Sequence, residues 1–390
     1  MPFEIDESTA ALPAPDAAET EHSLRLIELI QSEMAGGPIS FNRFMELALY
    51  APKLGYYSAG KTKFGASGDF VTAPELGDVF ARCVAHQCAQ VLDELKGGDI
   101  LEAGAGNGTL AADMLLQLER QQQLPRRYYI LELSADLRQR QKHTIAGKAP
   151  HLVERVQWLE DFPEAGFEGV IVANELLDAM PVSLFHVSDD GIMERYVTFA
   201  DARFGWTELP ASPLVQQRVT GLGLDSDYLS ELNLNAEAWI QTAGARLKRG
   251  VMLLIDYGFP RHEYYHPQRN AGTLMCHYRH RAHTDPLAYV GLQDITAHVD
   301  FTAMAQAAVD CGLDVLGYTS QAAFLMASGL NQIMAASNPE TTREHLDTTT
   351  QIKKLTLPSE MGELFKVLAL GRDFEAPLEG FQLQDRRDRL

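Results

Sequence analysis

The feature that most constrains this chain is a glycine-rich turn that joins an apolar run to an amphipathic helix. The turn, Glu102-Ala-Gly104-Ala-Gly106-Asn-Gly108, lies between the apolar start of DILEAG and the segment TLAADMLLQLER. In that segment Leu110, Met114 and Leu118 recur on one helical face. Other short apolar runs follow, namely YYILEL, VQWL, VIVANE, VMLLIDYG and a late FKVLALGR, with helical patterns such as AMAQAAVDCG among them. Strands alternating with helices imply βαβ units and a parallel sheet covered on both faces. VIVAN and VMLLI are continuously apolar, as strands buried on both faces must be. The fold class expected is therefore α/β.

The remaining segments set the expected organisation. Residues 1–21, rich in Ala, Pro and acids, are expected to be a mobile leader. A helix is expected from Ser23, with Leu24, Ile27 and Ile30 on one face, ending at Gly36-Gly37-Pro38. Ser40 is placed to cap a second helix, FNRFMELALY. Residues 22–98 then form an N-terminal helical and lid region, and 99–372 the main α/β domain. The stretch at about 183–248 is too long for a plain crossover and predicts an insertion, while 260–301 predicts an elaborated loop region and 373–390 a tail.

Composition narrows the function classes. With 33 Lys+Arg against 53 Asp+Glu the formal net charge is −20, which disfavours nucleic acid as a partner. No apolar run reaches the roughly 18 residues that cross a bilayer. The first twenty residues carry Glu4, Asp6, Glu7, Asp16 and Glu19 and no Lys or Arg, unlike a secretory or mitochondrial targeting segment. A soluble, cytoplasmic, bacterial protein is the expectation. Cys83, Cys88, Cys276 and Cys311 are too scattered for a disulfide framework. Cys276, His277, His280 and His283 invite a metal reading, but Arg279 and Arg281 interleave them and no second ligand cluster has the right spacing, so no metal is expected.

The turn also points to a ligand. Glycines there let the backbone approach a bound molecule closely. The third glycine comes one position earlier than in the dinucleotide fingerprint, and Thr109 occupies the dinucleotide position. That early glycine, with Glu102 two residues before the first, is the form common to S-adenosylmethionine sites. Glu132 ends the next strand, where doubly wound folds place a carboxylate for the ribose hydroxyls. Asp161, after the third strand, is a candidate for the adenine side or a simple turn acid. Asn174, Glu175 and Asp178 follow the buried strand VIVAN, where the crevice beyond the strand ends should lie. In GDFVTAPE, Asp69, Thr72 and Glu75 alternate with apolar or proline positions in a loop suited to a lid or cofactor wall.

Several stretches, in order, resemble one family. They are LYAPKLGYYS, GDFVTAPE, LEAGAGNGTLAADML, YYILELSADLRQRQ, VIVANELLDAMPV, GTLMCHYRH, GLQDITAHVDF, QAAFLMASGL and MGELFKVLALG, from about residue 24 to residue 372. The chain resembles the class I methyltransferases that include the mitochondrial assembly-factor methyltransferase of respiratory NADH:ubiquinone oxidoreductase and its bacterial relatives. The resemblance implies a Rossmann-like sheet, parallel with an antiparallel last strand, plus an N-terminal helical region and an inserted subdomain. It implies S-adenosylmethionine as donor and symmetric dimethylation of an arginine on a protein substrate, such as a respiratory-complex subunit, and it allows a homodimer. Carried over, Gly104, Gly106 and Gly108 pack against the donor's methionine end and Glu132 holds the ribose. Asp69 and Thr72 border the donor, and Asn174, Glu175 and Asp178 lie next to the methyl group. Two positions depart from the family pattern: Ala81 stands where many relatives have glycine, and Ser183 where many have histidine. A non-catalytic assembly protein of the same fold and a small-molecule methyltransferase are the alternative readings.

Overall fold

The structure is a computed structural model that describes residues 12–59, 72–163, 166–336 and 342–390. Its contacts divide the chain into two compact units. One, the sheet unit, comprises the described residues of Val71–Leu177, Glu237–Pro260 and Asp300–Leu390; the other, the N-terminal unit, comprises those of Met1–Phe70, Asp178–Ala236 and Arg261–Val299.

Seven strands follow one another across the sheet of this unit: β1 Asp99–Ala103, β2 Tyr128–Leu131, β3 Val156–Leu159, β4 Phe167–Asn174, β5 Leu247–Phe259, β6 Asp314–Ser320 and β7 Phe365–Arg372, and one further short strand pairs with β5 off this path. Their order across the sheet is β3-β2-β1-β4-β5-β7-β6. The pairs from β3 to β5 are parallel, whereas β7 runs antiparallel to both β5 and β6. The parallel core is what the strand and helix alternation predicts, and the antiparallel last strand is what the family resemblance implies. Val170 and Val172 of β4 and Val251, Leu253 and Ile255 of β5 are buried in one cluster with Val84 and Leu110 from the helices. Each such side chain contributes about 1.5–3 kcal/mol when fully removed from water, which is why these runs carry no polar residue until they reach the strand ends.

Three helices matter for the site: α1 Val79–Glu94, α2 Thr109–Arg120 and α3 Ala135–Lys148. Cys83 and Cys88 of α1 are fully buried, and burial pushes the Cys83 thiol up to about 12 and the Cys88 thiol higher still, so both are inert core filler. Strands β1 to β3 are laid down in one direction across the sheet and β4 and β5 in the other, so the strand order reverses between the parallel neighbours β1 and β4. In a doubly wound sheet the crevice for a ligand opens there, beyond the carboxyl ends of those two strands.

The N-terminal unit opens with helix Ala17–Glu33, which begins six residues before the expected start at Ser23. The cause is a capping box: the Glu19 N–H donates to Asp16 at 2.8 Å and the Asp16 N–H donates to Glu19 at 2.9 Å. Helix Phe41–Tyr50 starts where expected, with the Arg43 N–H donating to Ser40 Oγ at 3.2 Å. An antiparallel sheet places Ile39–Ser40, Gly191–Ala200, Ser183–Ser188 and Tyr228–Leu232 in that order, with Arg203–Pro210 on Gly191–Ala200. A three-stranded sheet holds Arg281–His283, Met275–Tyr278 and Asp294–Thr296. Leu26, Phe41, Phe44, Val197, Cys276 and Ile295 share the core of this unit.

One buried carboxylate pins this unit together. Glu231 accepts the N–H groups of Thr273 at 2.8 Å and Leu274 at 3.0 Å and the Tyr264 hydroxyl at 3.2 Å. Burial raises its pKa, and these donors offset that cost. Glu231→Ala strands two backbone N–H groups and is expected to lower stability by about 3 kcal/mol. Urea unfolding measures this, and a loss under 1 kcal/mol would contradict the role given to Glu231.

Candidate active site

The glycine turn leaves β1 at Gly104 and enters α2 at Thr109. Gly104, Gly106 and Gly108 all have positive φ, at 70°, 52° and 85°. A Cβ on Gly104 would lie 2.8 Å from Leu176 Cδ1, and one on Gly108 would lie 2.9 Å from the Gln141 Cα. Conformation favours glycine at both positions, and at Gly108 space requires it as well, because the obstacle there is backbone, whereas at Gly104 it is the movable end of a leucine side chain.

Beneath the turn, Glu102 is buried and accepts the Tyr128 hydroxyl at 2.6 Å. Burial raises its pKa to about 7 and the Tyr128 hydrogen bond only partly opposes this. The folded state thus holds a proton that the unfolded chain releases near pH 4.5. The stability linked to this proton is complete below pH 4.5 and is lost as pH rises to about 7. Glu102→Gln removes that dependence, so the unfolding free energy of the variant is expected to gain roughly 3 kcal/mol on the parent between pH 4.5 and pH 8. Parallel urea curves at the two pH values test this; equal shifts in both proteins would contradict it.

Glu132, just past β2, is partly buried. Its carboxylate accepts the Ser134 N–H at 2.8 Å and the Gln141 amide at 3.1 Å. Burial raises its pKa, and the Ser134 and Gln141 hydrogen bonds work against that rise. Gln141, on α3, was not anticipated from the sequence. It is fully buried, and its amide also donates to the Gly106 carbonyl at 3.0 Å while its oxygen accepts the Trp158 indole N–H at 3.0 Å. Gln141 thus fastens the glycine turn to the carboxylate after β2. The available signal was positional: Gln141 stands midway between buried Leu137 and Ile145 on one helical stripe, where an apolar residue is the norm.

The TAPE part of the predicted lid reaches the same end of the sheet. Glu75 accepts the Asn107 amide at 2.9 Å and the Thr72 N–H at 3.5 Å. The Ala73 N–H donates to Glu175 Oε1 at 3.4 Å. Asp69 lies outside the described residues. Asp161 is exposed, and its carboxylate accepts the N–H of Phe162 at 2.7 Å, which is a turn role.

At the end of β4, Glu175 adopts φ of 50°, rare for a residue with a side chain, and accepts the Asn174 amide at 3.2 Å. Asn174 is 8% exposed, and among the described residues its Oδ1 has no hydrogen-bond partner. Asp178 is buried and opens the second stretch of the N-terminal unit, where its carbonyl accepts the Ala297 N–H at 3.0 Å. The structure therefore brings together Gly106 and Glu132, and separately Asn174 and Glu175, within the sheet unit.

These features fit a nucleoside donor with a charged tail. The turn leaves no room for a Cβ at Gly108, a carboxylate stands after β2, and the buried Asn174 oxygen can accept from a ligand. Among the described residues no group of three or more His, Cys, Asp or Glu is placed to hold a metal ion, and no helix is long and apolar enough to cross a membrane.

Comparison with known proteins decides the family. The family model for S-adenosyl-L-methionine-dependent methyltransferases matches residues 83–319, more than half of the chain. The chain belongs to this methyltransferase family. A crystal structure from Burkholderia thailandensis, solved with S-adenosyl-homocysteine bound, is 46% identical, covers 97% of this chain and 100% of its own, and superimposes with a TM-score of 0.94. The methyltransferase uses S-adenosylmethionine as its donor. Among curated proteins, the mitochondrial protein arginine methyltransferase NDUFAF7 homolog of Drosophila melanogaster is 27% identical over 92% of this chain and 87% of its own length. The mitochondrial protein arginine methyltransferase NDUFAF7 of Danio rerio is 27% identical over 88% and 86%. These relatives correct one expectation. They are named as mitochondrial proteins, so the cytoplasmic location inferred from an acidic N-terminal stretch does not stand.

Proposed function

We propose that this methyltransferase transfers methyl groups to an arginine of a protein substrate. The observation that carries the reading is Glu175, a carboxylate held in a left-handed conformation where the parallel sheet opens beside the glycine turn. The names of the curated relatives, protein arginine methyltransferases, support the same acceptor. A net charge of −20 favours approach of a basic segment of a partner.

Held in the turn, S-adenosylmethionine supplies a sulfonium methyl that is already electrophilic, so the protein's task is positioning and electrostatics. Gly104, Gly106 and Gly108 admit the donor's tail, Glu132 takes the ribose hydroxyls and Thr72 borders the donor. Glu102 acts from below by supporting the turn through Tyr128. Asn174 offers its buried oxygen to the donor. A guanidinium is a planar cation, and a carboxylate that accepts two of its N–H groups fixes its plane and concentrates electron density on the attacking nitrogen. Glu175 takes that role.

The test is to incubate the protein with tritium-labelled S-adenosylmethionine and the proteins of a strain lacking its gene, then map the label by mass spectrometry. A respiratory-complex subunit is the first acceptor to examine. Methylarginine in a protein is the expected result. Label confined to small molecules would overturn the reading.

A further inference from the structure

We propose that Asp256 is a positioning residue for this reaction, holding the segment Glu175–Leu177 in the conformation that presents the Glu175 carboxylate. This rests on the assignment of Glu175 to the acceptor. Asp256 stands near the end of β5, one residue past the Cα partner of Asn174, which is Ile255. It is 1% exposed. A carboxyl group so deeply buried is costly unless hydrogen-bond partners meet it. Its Oδ2 accepts the N–H of Leu177 at 3.0 Å and its Oδ1 accepts the N–H of Tyr257 at 2.9 Å. Across the antiparallel pair its Cα partner is Lys366, a cation that is itself buried.

The three residues after β4 are thus held at both ends by β5. The Glu175 N–H donates to the Ile255 carbonyl at 2.9 Å, and the Leu177 N–H goes to Asp256. Between these anchors Glu175 takes its unfavourable positive φ, and Leu176 packs within reach of Gly104 in the donor turn. Strain of this kind survives only where neighbouring contacts over-determine it. Removing the Asp256 acceptor frees one anchor, and Glu175 can relax into ordinary backbone space. Nothing in this arrangement has Asp256 touch the acceptor; its effect passes through Glu175.

The experiment uses the full chain, with labelled methyl transfer into the protein fraction of the strain lacking the gene as the rate readout. Binding of S-adenosylhomocysteine by calorimetry is the second readout. Asp256→Ala is expected to lower transfer about 30-fold and to leave cofactor affinity within about threefold. On a Glu175→Gln background, whose residual transfer the label still measures, Asp256→Ala is expected to cost nothing more. Asp256→Asn keeps the volume but places an amide against one of the two N–H groups. It is expected to lose about fivefold, again with no added loss beside Glu175→Gln, and it carries the test if the alanine variant does not fold. Losses that multiply in the double variant, unchanged transfer in both Asp256 variants, or loss of cofactor binding would each overturn the proposal while leaving Glu175 in place. Full transfer by Glu175→Gln would overturn the acceptor assignment and this inference with it.

Discussion

Glu175→Gln is expected to lower methyl transfer by about a hundredfold while changing the affinity for S-adenosylmethionine by less than about threefold. The substitution keeps shape and an oxygen that accepts the Ala73 N–H and the Asn174 amide, so the loop after β4 retains its contacts. What disappears is the negative charge that orients a guanidinium. One of the two oxygens becomes an amide nitrogen that cannot accept and the other loses its charge, which removes about 3 kcal/mol from the transition state, about a hundredfold in rate. Single-turnover transfer with labelled donor, beside calorimetry on the same preparation, separates the two quantities. If donor binding falls with transfer, Glu175 belongs to the donor and the acceptor carboxylate must be sought elsewhere.

Gly108→Ala is expected to abolish measurable donor binding. At φ of 85° an alanine is strained, and its Cβ would meet the Gln141 Cα at 2.9 Å, a backbone atom that cannot rotate away. The conformational cost alone is about 1–2 kcal/mol, and displacing α3 adds to it. Moving Gln141 also disturbs its links to the Gly106 carbonyl and to Glu132, so the turn and the Glu132 carboxylate lose their alignment together. Gly104→Ala should be milder, because its obstacle is the end of a leucine side chain. Calorimetric titration with S-adenosylhomocysteine ranks the two variants. Equal, near-parental affinity in both would show that the turn does not cradle the donor.

Much of the sheet unit was legible because its signals are local. Strands buried on both faces announce themselves as apolar runs, and a turn that must take positive φ three times within five residues announces itself in glycine. Ser40 capped its helix as expected, since a cap acts over three residues. The Asp16 and Glu19 capping box was equally local, yet it was submerged in an acidic stretch whose composition suggested disorder. Location was misjudged for a related reason: a few acids near one end carry little information about where a protein works.

The residues that organise the site were less visible. Gln141 meets Gly106 and Glu132 through the packing of α3, and Asp256 meets Leu177 across a separation of 79 positions. Both sit in quoted stretches, Gln141 at the end of YYILELSADLRQRQ and Asp256 in VMLLIDYG, but nothing in either stretch marks the position as one that organises the site. Asp161, a candidate for the adenine side or a turn acid, is exposed and accepts the N–H of the next residue through Oδ1.

By itself the amino-acid order determined the α/β class, the glycine turn and the carboxylates at the strand ends, because periodicity, glycine conformation and strand-end polarity are properties of neighbouring residues. Only the tertiary structure decided which buried polar groups meet, how the loop after β4 is anchored, and that an N-terminal unit gathers three separate stretches of chain. Those outcomes depend on hydrogen bonds and burial between residues far apart in sequence, and a buried donor finds its acceptor only after the chain has folded.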